Sequence, residues 1–380
     1  MGWKKVKSTL APGWYFMQGD EACAEGALAA GCRYYAGYPI TPAGEIMIRM
    51  VHRLPEVGGS FMQMEDEIGS ISSVIGAAWA GAKAMTATSG PGLSLMVETI
   101  GYAVITETPC LIVDVQRAGP STGQATRPAQ GDMMMVKWAA HGDNEIVALS
   151  PWSVQEMYDL TVKAFNFAER FRVPVFLLAD EAVGHLRETL VIKEEVKIFD
   201  RVKIPGKPPF GTEEMNGVPP MPAFGEGANL LVTGSTHDPW GFRKTQDSAV
   251  QARLTERLIR KVRDFKSEVI ETDPHLLDDL EIGVVAYGFT ARAALAAVKT
   301  LRTQGVKAGL LRLVSIWPFP DEAVAALGRR CRKIFVPEMN RGQIAGEMTK
   351  FTSTPVIPLS KTNGEVIEPA EIVEGIRRNL

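Results

Sequence analysis

Over its first half the chain repeats one pattern, a continuous apolar run followed by a segment of helical period. The runs CRYYAGY, GSFMQM, AKAMTATS, PCLIVDVQ, EIVALS and VPVFLLAD alternate with segments such as DEIGSISSVIGAAWAG and PWSVQEMYDLTVKAFNFAERFR. A strand that is apolar along its whole length has no face to give to water. It belongs in a parallel sheet covered by helices on both sides, so the pattern predicts an α/β fold. Ligands on such sheets bind beyond the carboxyl ends of the strands. The loops after Tyr38, Met64, Ser89 and Gln116 are therefore where function is expected.

From about Leu190 to Gly227 the alternation stops, and Pro205, Pro208, Pro209, Pro219, Pro220 and Pro222 accumulate among glycines, the composition of an extended linker. A second α/β series follows: NLLVTG, the charged helix QARLTERLIRKVRDFKSEV, EIGVVAYG, KAGLLRLVSIWPF, KIFVPEMN and TPVIPLSK. The expected organisation is an N-terminal extension over 1–14, an α/β domain over 15–190, a linker over 191–227 and a second α/β domain over 228–380. With 380 residues, 46% of them hydrophobic, the chain can bury two such cores. The charged helix reads as a solvated face laced with ion pairs.

The 41 basic and 44 acidic residues are interleaved, leaving a net charge of −3, so no basic face is offered to nucleic acid or to an anionic membrane. MGWKKVKSTLAPGW has lysines but no apolar stretch behind them, and no uncharged apolar run approaches ~18 residues; a cytoplasmic protein with no membrane partner is expected. Cys23, Cys32, Cys110 and Cys331 lack CxxC spacing, which argues against zinc, an iron–sulfur cluster or disulfides built by this chain alone. They read as small buried apolar residues, and no metal ligands are expected in the chain.

Four loops carry the chemical signals. In YPITP, Pro39 and Pro42 remove two backbone donors and fix φ; Thr41 either caps the helix that follows or stands on a rigid elbow facing a ligand. In QMEDEIG, Glu65, Asp66 and Glu67 open a helix, where acidic residues suit the dipole. The small residues that follow allow close packing, as at a subunit interface, and a carboxylate at its mouth would be desolvated and ready to share a proton with a ligand nitrogen. TATSGPG is a glycine turn into a helix at Gly90, commonplace by itself. QRAGPSTGQATRPAQGDMMM is a long polar insertion, in which Arg117 could fork onto a carboxylate.

Taken together, YPITP, QMEDEIG, TATSGPG, VQRAGPSTGQ with AQGDMM, and the HGD to FLLADE region resemble the alpha subunits of 2-oxoacid:ferredoxin oxidoreductases. MQGDEACAEGALAAGCRYYAGYPITP and ADEAVGHLRE are most similar to the 2-oxoglutarate branch. LLRLVSIWPFP and FVPEMNRGQ extend the resemblance into the second domain, which is similar to the transketolase C-terminal domain.

The resemblance implies an enzyme subunit that supplies the pyrimidine-side domain for thiamine diphosphate. By this correspondence Glu67 hydrogen-bonds the aminopyrimidine ring and promotes loss of the thiazolium proton, while Tyr38, Pro39, Ile40 and Gly90 line the cofactor. Thr41 contacts the substrate, and Arg117 grips the 2-oxo-acid carboxylate. For the distal carboxylate of 2-oxoglutarate the insertion offers Thr122, Gln124 and Arg127, with Arg127 the chosen residue. Alternatively Arg127 points to solvent or crosses a subunit interface.

The chain lacks a GDG followed by an asparagine pair. The resemblance therefore assigns diphosphate, Mg²⁺ and a [4Fe–4S] cluster to a beta subunit, in an (αβ)₂ assembly that is active only as a complex. The implied reaction converts 2-oxoglutarate, coenzyme A and oxidised ferredoxin reversibly to succinyl-CoA, CO₂ and reduced ferredoxin. Three alternatives stay open: a branched-chain, pyruvate-type or aryl 2-oxo acid; a non-oxidative thiamine enzyme; or a non-catalytic regulatory or assembly subunit.

Overall fold

The computed structural model describes residues 2–204, 206–213 and 216–380; Pro205, one of the linker prolines, lies outside the described residues. The apolar runs form strands, and six of them lie parallel in the order Val147–Leu149, Pro174–Asp180, Cys110–Ala118, Lys83–Thr88, Cys32–Gly37, Ser60–Gln63. Alternate strand residues enter two different cores, as a sheet buried on both faces requires. Leu111, Val113, Val115, Val175 and Leu177 face the helices Gly19–Ala29 and Val154–Phe171, whereas Cys110, Ile112, Phe176 and Leu178 face Glu67–Trp79 and Gly90–Ile105.

The second sheet has five strands in the order Thr272–His275, Ala308–Leu313, Ile282–Ala286, Lys333–Glu338, Val356–Ser360, with only the first antiparallel to its neighbour. The helices Gly288–Thr303 and Pro369–Arg378 cover its outer face. On its inner face Val285, Leu311, Leu313, Ile334 and Val336 share one core with the first sheet. The two halves are also joined by a strand: Ser315–Trp317 pairs antiparallel with Val147–Leu149 and completes the edge of the first sheet.

Three features depart from the sequence reading. NLLVTG, expected as a strand, has no regular structure: Thr272–His275 already fills that edge of the second sheet, and only Leu230 and Val232 reach the core. Within the expected linker, Glu195–Phe199 forms a strand paired with Trp3–Lys7 of the N-terminal extension. The charged helix, Ser248–Arg263, has the exposed pairs Arg260–Asp264 and Arg263–Glu256, but Lys261 and Arg257 turn inward onto the fully buried Glu107 at 2.9 Å and 2.6 Å. Cys23, Cys32 and Cys110 are buried, and burial pushes each thiol up to about 12.

Candidate active site

The strands that end at Gly37, Gln63, Thr88 and Ala118 are parallel and adjacent, so the four loops singled out in the sequence emerge at one edge of the sheet. The strand Pro174–Asp180 ends there as well, with Gln116 opposite Asp180.

After Gly37 the chain runs out with Tyr38, Pro39 and Thr41 exposed, while Ile40 rests half-buried on the core. The Thr41–Pro42 peptide is cis. Thr41 does not cap the helix: Ala43 stands at the cap of Gly44–Arg53, and the Thr41 hydroxyl makes no hydrogen bond among the described residues. Its carbonyl oxygen instead accepts Arg117 Nη1 at 2.7 Å. The next carbonyl, that of Pro42, lies 3.2 Å from His185 Nε2. Arg117 is half-buried, and its Nε is buried without a partner among the described residues.

Asp66 takes the capping role in the acidic turn, accepting Gly69 N at 2.7 Å, which leaves Glu67 free of it. Glu67 is buried, and its side chain makes no hydrogen bond among the described residues. Its carboxylate lies over the TSGPG turn so closely that a Cβ on Gly92 would stand 2.4 Å from Glu67 Oε1 and 2.2 Å from Thr88 Oγ1. Only glycine fits there.

Gly90 lies beside a second carboxyl, since a Cβ there would stand 2.9 Å from Asp132 Oδ2. Asp132 neighbours the fully buried Asp114, neither of whose carboxyl oxygens has a hydrogen-bond partner among the described residues. Burial, then the Asp132 charge, pushes Asp114 well above the carboxylate range, and burial pushes Asp132 up to about 6. Two neighbouring carboxyls out of water do not both ionise readily. Gln116 Oε1 fixes Asp132 by accepting its backbone N–H at 3.0 Å.

The insertion after Arg117 folds back as a short strand, Gln124–Pro128, antiparallel to the end of Cys110–Ala118. Thr122, Gln124 and Arg127 are exposed, and Arg127 has no ion pair among the described residues. Gln124 and Arg127 flank Gly364 of the second half, where a Cβ would meet Gln124 Oε1 at 2.0 Å and Arg127 Cβ at 2.9 Å. Thr41 and Arg117 are thus in contact, Glu67 and Gly90 border the same glycine turn, and Arg127 sits on the outer hairpin.

Sequence reasoning missed the buried and half-buried groups behind these loops: Asp114, Gln130 and Asp20, and with them Asp132 and His185. Asp114 had a usable signal, a charge inside the apolar run PCLIVDVQ. His185 carried only the i,i+4 spacing to Glu181 on its own helix, because its other partners, Glu45 and Pro42, come from a separate segment.

The fold is shared with a split-gene transketolase, 13% identical, which superimposes with a TM-score of 0.58 over 95% of this chain and 97% of its own. Residues 25–257 match the family described as pyruvate flavodoxin/ferredoxin oxidoreductase, thiamine-diphosphate-binding, and residues 281–372 match pyruvate:ferredoxin oxidoreductase core domain II. The chain belongs to this family, the 2-oxoacid:ferredoxin oxidoreductases, and is of the KorA-like alpha type. It is 49% identical to the 2-oxoglutarate synthase subunit KorA of Methanocaldococcus jannaschii over 95% of this chain and 98% of that one, and 44% identical to KorA of Archaeoglobus fulgidus over 96% and 99%. A 2-oxoglutarate:ferredoxin oxidoreductase from Magnetococcus marinus, solved with 2-oxoglutarate, coenzyme A and succinyl-CoA, superimposes with a TM-score of 0.91 at 32% identity; this chain aligns over 96% of its length and spans 65% of that one.

Proposed function

We propose that the chain is the alpha subunit of a 2-oxoglutarate:ferredoxin oxidoreductase, converting 2-oxoglutarate, coenzyme A and oxidised ferredoxin to succinyl-CoA, CO₂ and reduced ferredoxin, reversibly. The observation that carries the reading is the junction of Arg117 with the Thr41 carbonyl at the same sheet edge as the Glu67–Gly92 cradle, in a chain matched over 95% of its length by KorA of Methanocaldococcus jannaschii.

The residues fit thiamine diphosphate. Glu67 is a buried carboxylate with no donor, facing a glycine that leaves the space beside it clear. Bound there, the cofactor supplies the nucleophilic carbon and the electron sink that decarboxylation requires. Glu67 holds the proton shared with the aminopyrimidine, while Tyr38, Pro39, Ile40 and Gly90 form the surrounding wall. Arg117 orients the 2-oxo acid by its carboxylate and, through the Thr41 carbonyl, sets the elbow that presents the Thr41 hydroxyl. Thr122, Gln124 and Arg127 form the outer rim that receives the distal carboxylate.

A beta subunit carrying diphosphate, Mg²⁺ and a [4Fe–4S] cluster completes the site in an (αβ)₂ complex, with ferredoxin as electron acceptor. Exposed Tyr38, Met62, Ile68 and Leu95 supply apolar surface near this edge for such a partner. The divisions 15–190 and 228–380 are kept as functional units, with 1–14 and 191–227 bound together through the Trp3–Lys7 and Glu195–Phe199 pairing.

The test is the complex purified with its partner. Ferredoxin reduction should depend on thiamine diphosphate, coenzyme A and 2-oxoglutarate, with pyruvate and 3-methyl-2-oxobutanoate at least about tenfold poorer in kcat/KM. Equal turnover of a monocarboxylic 2-oxo acid would overturn the substrate assignment.

A further inference from the structure

Behind the Thr41 elbow lies a cluster with no role in the reading above. His185 ends the short helix Glu181–His185; its Nδ1 lies 3.0 Å from Glu181 Oε1 and its Nε2 3.2 Å from the Pro42 carbonyl oxygen, with Glu45 Oε2 at 3.5 Å from Nε2. Asp20 closes the cluster from the helix Gly19–Ala29, fully buried, with neither carboxylate oxygen hydrogen-bonded among the described residues. A carbonyl oxygen and a carboxylate only accept hydrogen bonds, so both ring nitrogens must carry protons for both contacts to be made. The ring is then an imidazolium. The ligand atoms of Asp20, Glu45 and His185 fall within 4.8 Å of one another, but a doubly protonated ring cannot ligate a metal ion.

We infer that the His185 imidazolium is a positioning residue for the substrate loop, holding the Pro42 carbonyl while Arg117 holds the Thr41 carbonyl one residue earlier. Two cations on consecutive carbonyls fix both the height and the rotation of the elbow that carries Thr41. Losing either one leaves the loop pinned at a single point. The inference rests on the reading of Thr41 as a substrate contact.

Three carboxyls bear on the ring: Glu181 on its own helix, Asp20 on Gly19–Ala29 and Glu45 on Gly44–Arg53. The other charged groups on elements packed against it are engaged elsewhere or turned outward. Arg117 bonds Thr41, Asp180 bonds Gln130 and Phe289, Glu156 bonds Arg312, Arg292 bonds Glu188, Glu21 faces Arg187 and the Gln18 backbone, and Arg127 is exposed. The Glu181 hydrogen bond, opposed by burial and reinforced by Asp20, raises His185 to about 9. The loop is therefore held at neutral pH and released as the ring loses its proton on the alkaline side.

The experiment has two arms on the assembled complex. NMR titration of the ring, assigned by comparison with His185→Gln, should give a His185 pKa well above the ordinary 6.5. Glu181→Gln should lower it, and the alkaline limb of kcat/KM for the 2-oxo acid should move down with it, by about 1 unit or more. Each variant is referenced to its own plateau on the acid side of that limb. A ring titrating near 6.5, or a chelator-sensitive Mn²⁺ bound through these residues, would overturn the imidazolium. A ring that shifts while the limb stays fixed would overturn the positioning role and leave Glu67 and Arg117 untouched. If the ring shifts and no 2-oxo acid is turned over at any pH, the reading of the site fails instead.

Discussion

At Gly92 the absence of a side chain is what lets Glu67 occupy its place, with 2.4 Å between its Oε1 and any added Cβ. Gly92→Ala should therefore push the Glu67 carboxylate aside and weaken thiamine diphosphate binding at least tenfold by calorimetric titration, and it should lower the thermal midpoint as well, because Gly92 is buried in the helix against Thr88. Glu67→Gln is the complementary change. It keeps the volume but cannot take up the shared proton, so hydrogen–deuterium exchange at the thiazolium carbon should slow by two or more orders of magnitude. An unchanged rate would remove Glu67 from the proton path. Arg117→Lys keeps a charge and loses the fork; kcat/KM for the oxo acid should fall by an amount equivalent to about 1.5–3 kcal/mol, with cofactor affinity held.

Among the elements, the helix Ser248–Arg263 shows how far a sequence can be read. Its period and charge were plain, but a helix reveals its buried side only through apolar spacing, and here the inward residues include Arg257 and Lys261. Their partner, Glu107, lies in a turn far away in sequence, and ion pairs across such distances leave no local trace. The site loops were legible for the opposite reason: prolines, glycines and hydroxyls cluster within each one, and parallel strands bring their ends together. The groups behind the loops, such as Asp132 and His185, were not, since the contacts that tie them to the site come from other elements.

Glu107→Gln should destabilise the chain by about 3 kcal/mol in urea titration, the low end for an orphaned buried charge. Burial already draws Lys261 down to about 8, so its proton is readily released in the variant. Burial opposes the Glu107 charge, but Arg257 and Lys261 overcome it and hold the carboxyl below the usual range. A carboxyl with a lowered folded pKa adds stability above its unfolded value, 4.5, and loses it as pH falls from there. The wild-type protein should show that acid loss, and the variant should lack it.

In the whole molecule one buried amide, that of Gln130, makes several of the polar contacts between the two halves. Gln130 donates to Asp180 Oδ2 at 3.2 Å and to the Tyr287 carbonyl at 3.0 Å, and its Oε1 accepts from Thr290 Oγ1 at 3.0 Å and Met339 N at 3.1 Å. Gln130→Ala would strand several buried partners at about 1–3 kcal/mol each. Calorimetry should then show the single unfolding transition broaden or split, because the shared core would lose its polar lock. A sharp single transition at an unchanged midpoint would mean that the apolar core, the Ser315–Trp317 strand and ion pairs such as Arg312–Glu156 couple the halves without Gln130.

The strand Ser315–Trp317 closes an edge of the first sheet that is otherwise bare along Val147–Leu149. During synthesis that edge waits, open to any strand from a neighbouring nascent chain, until the ribosome has delivered most of the second half. Truncations ending between Asp180 and Ser315 should consequently aggregate, even though every strand between Cys32 and Asp180 is present in them. A break in the reading frame late in the message would thus yield a clump that quality control can recognise, and no half-enzyme able to occupy the partner subunit.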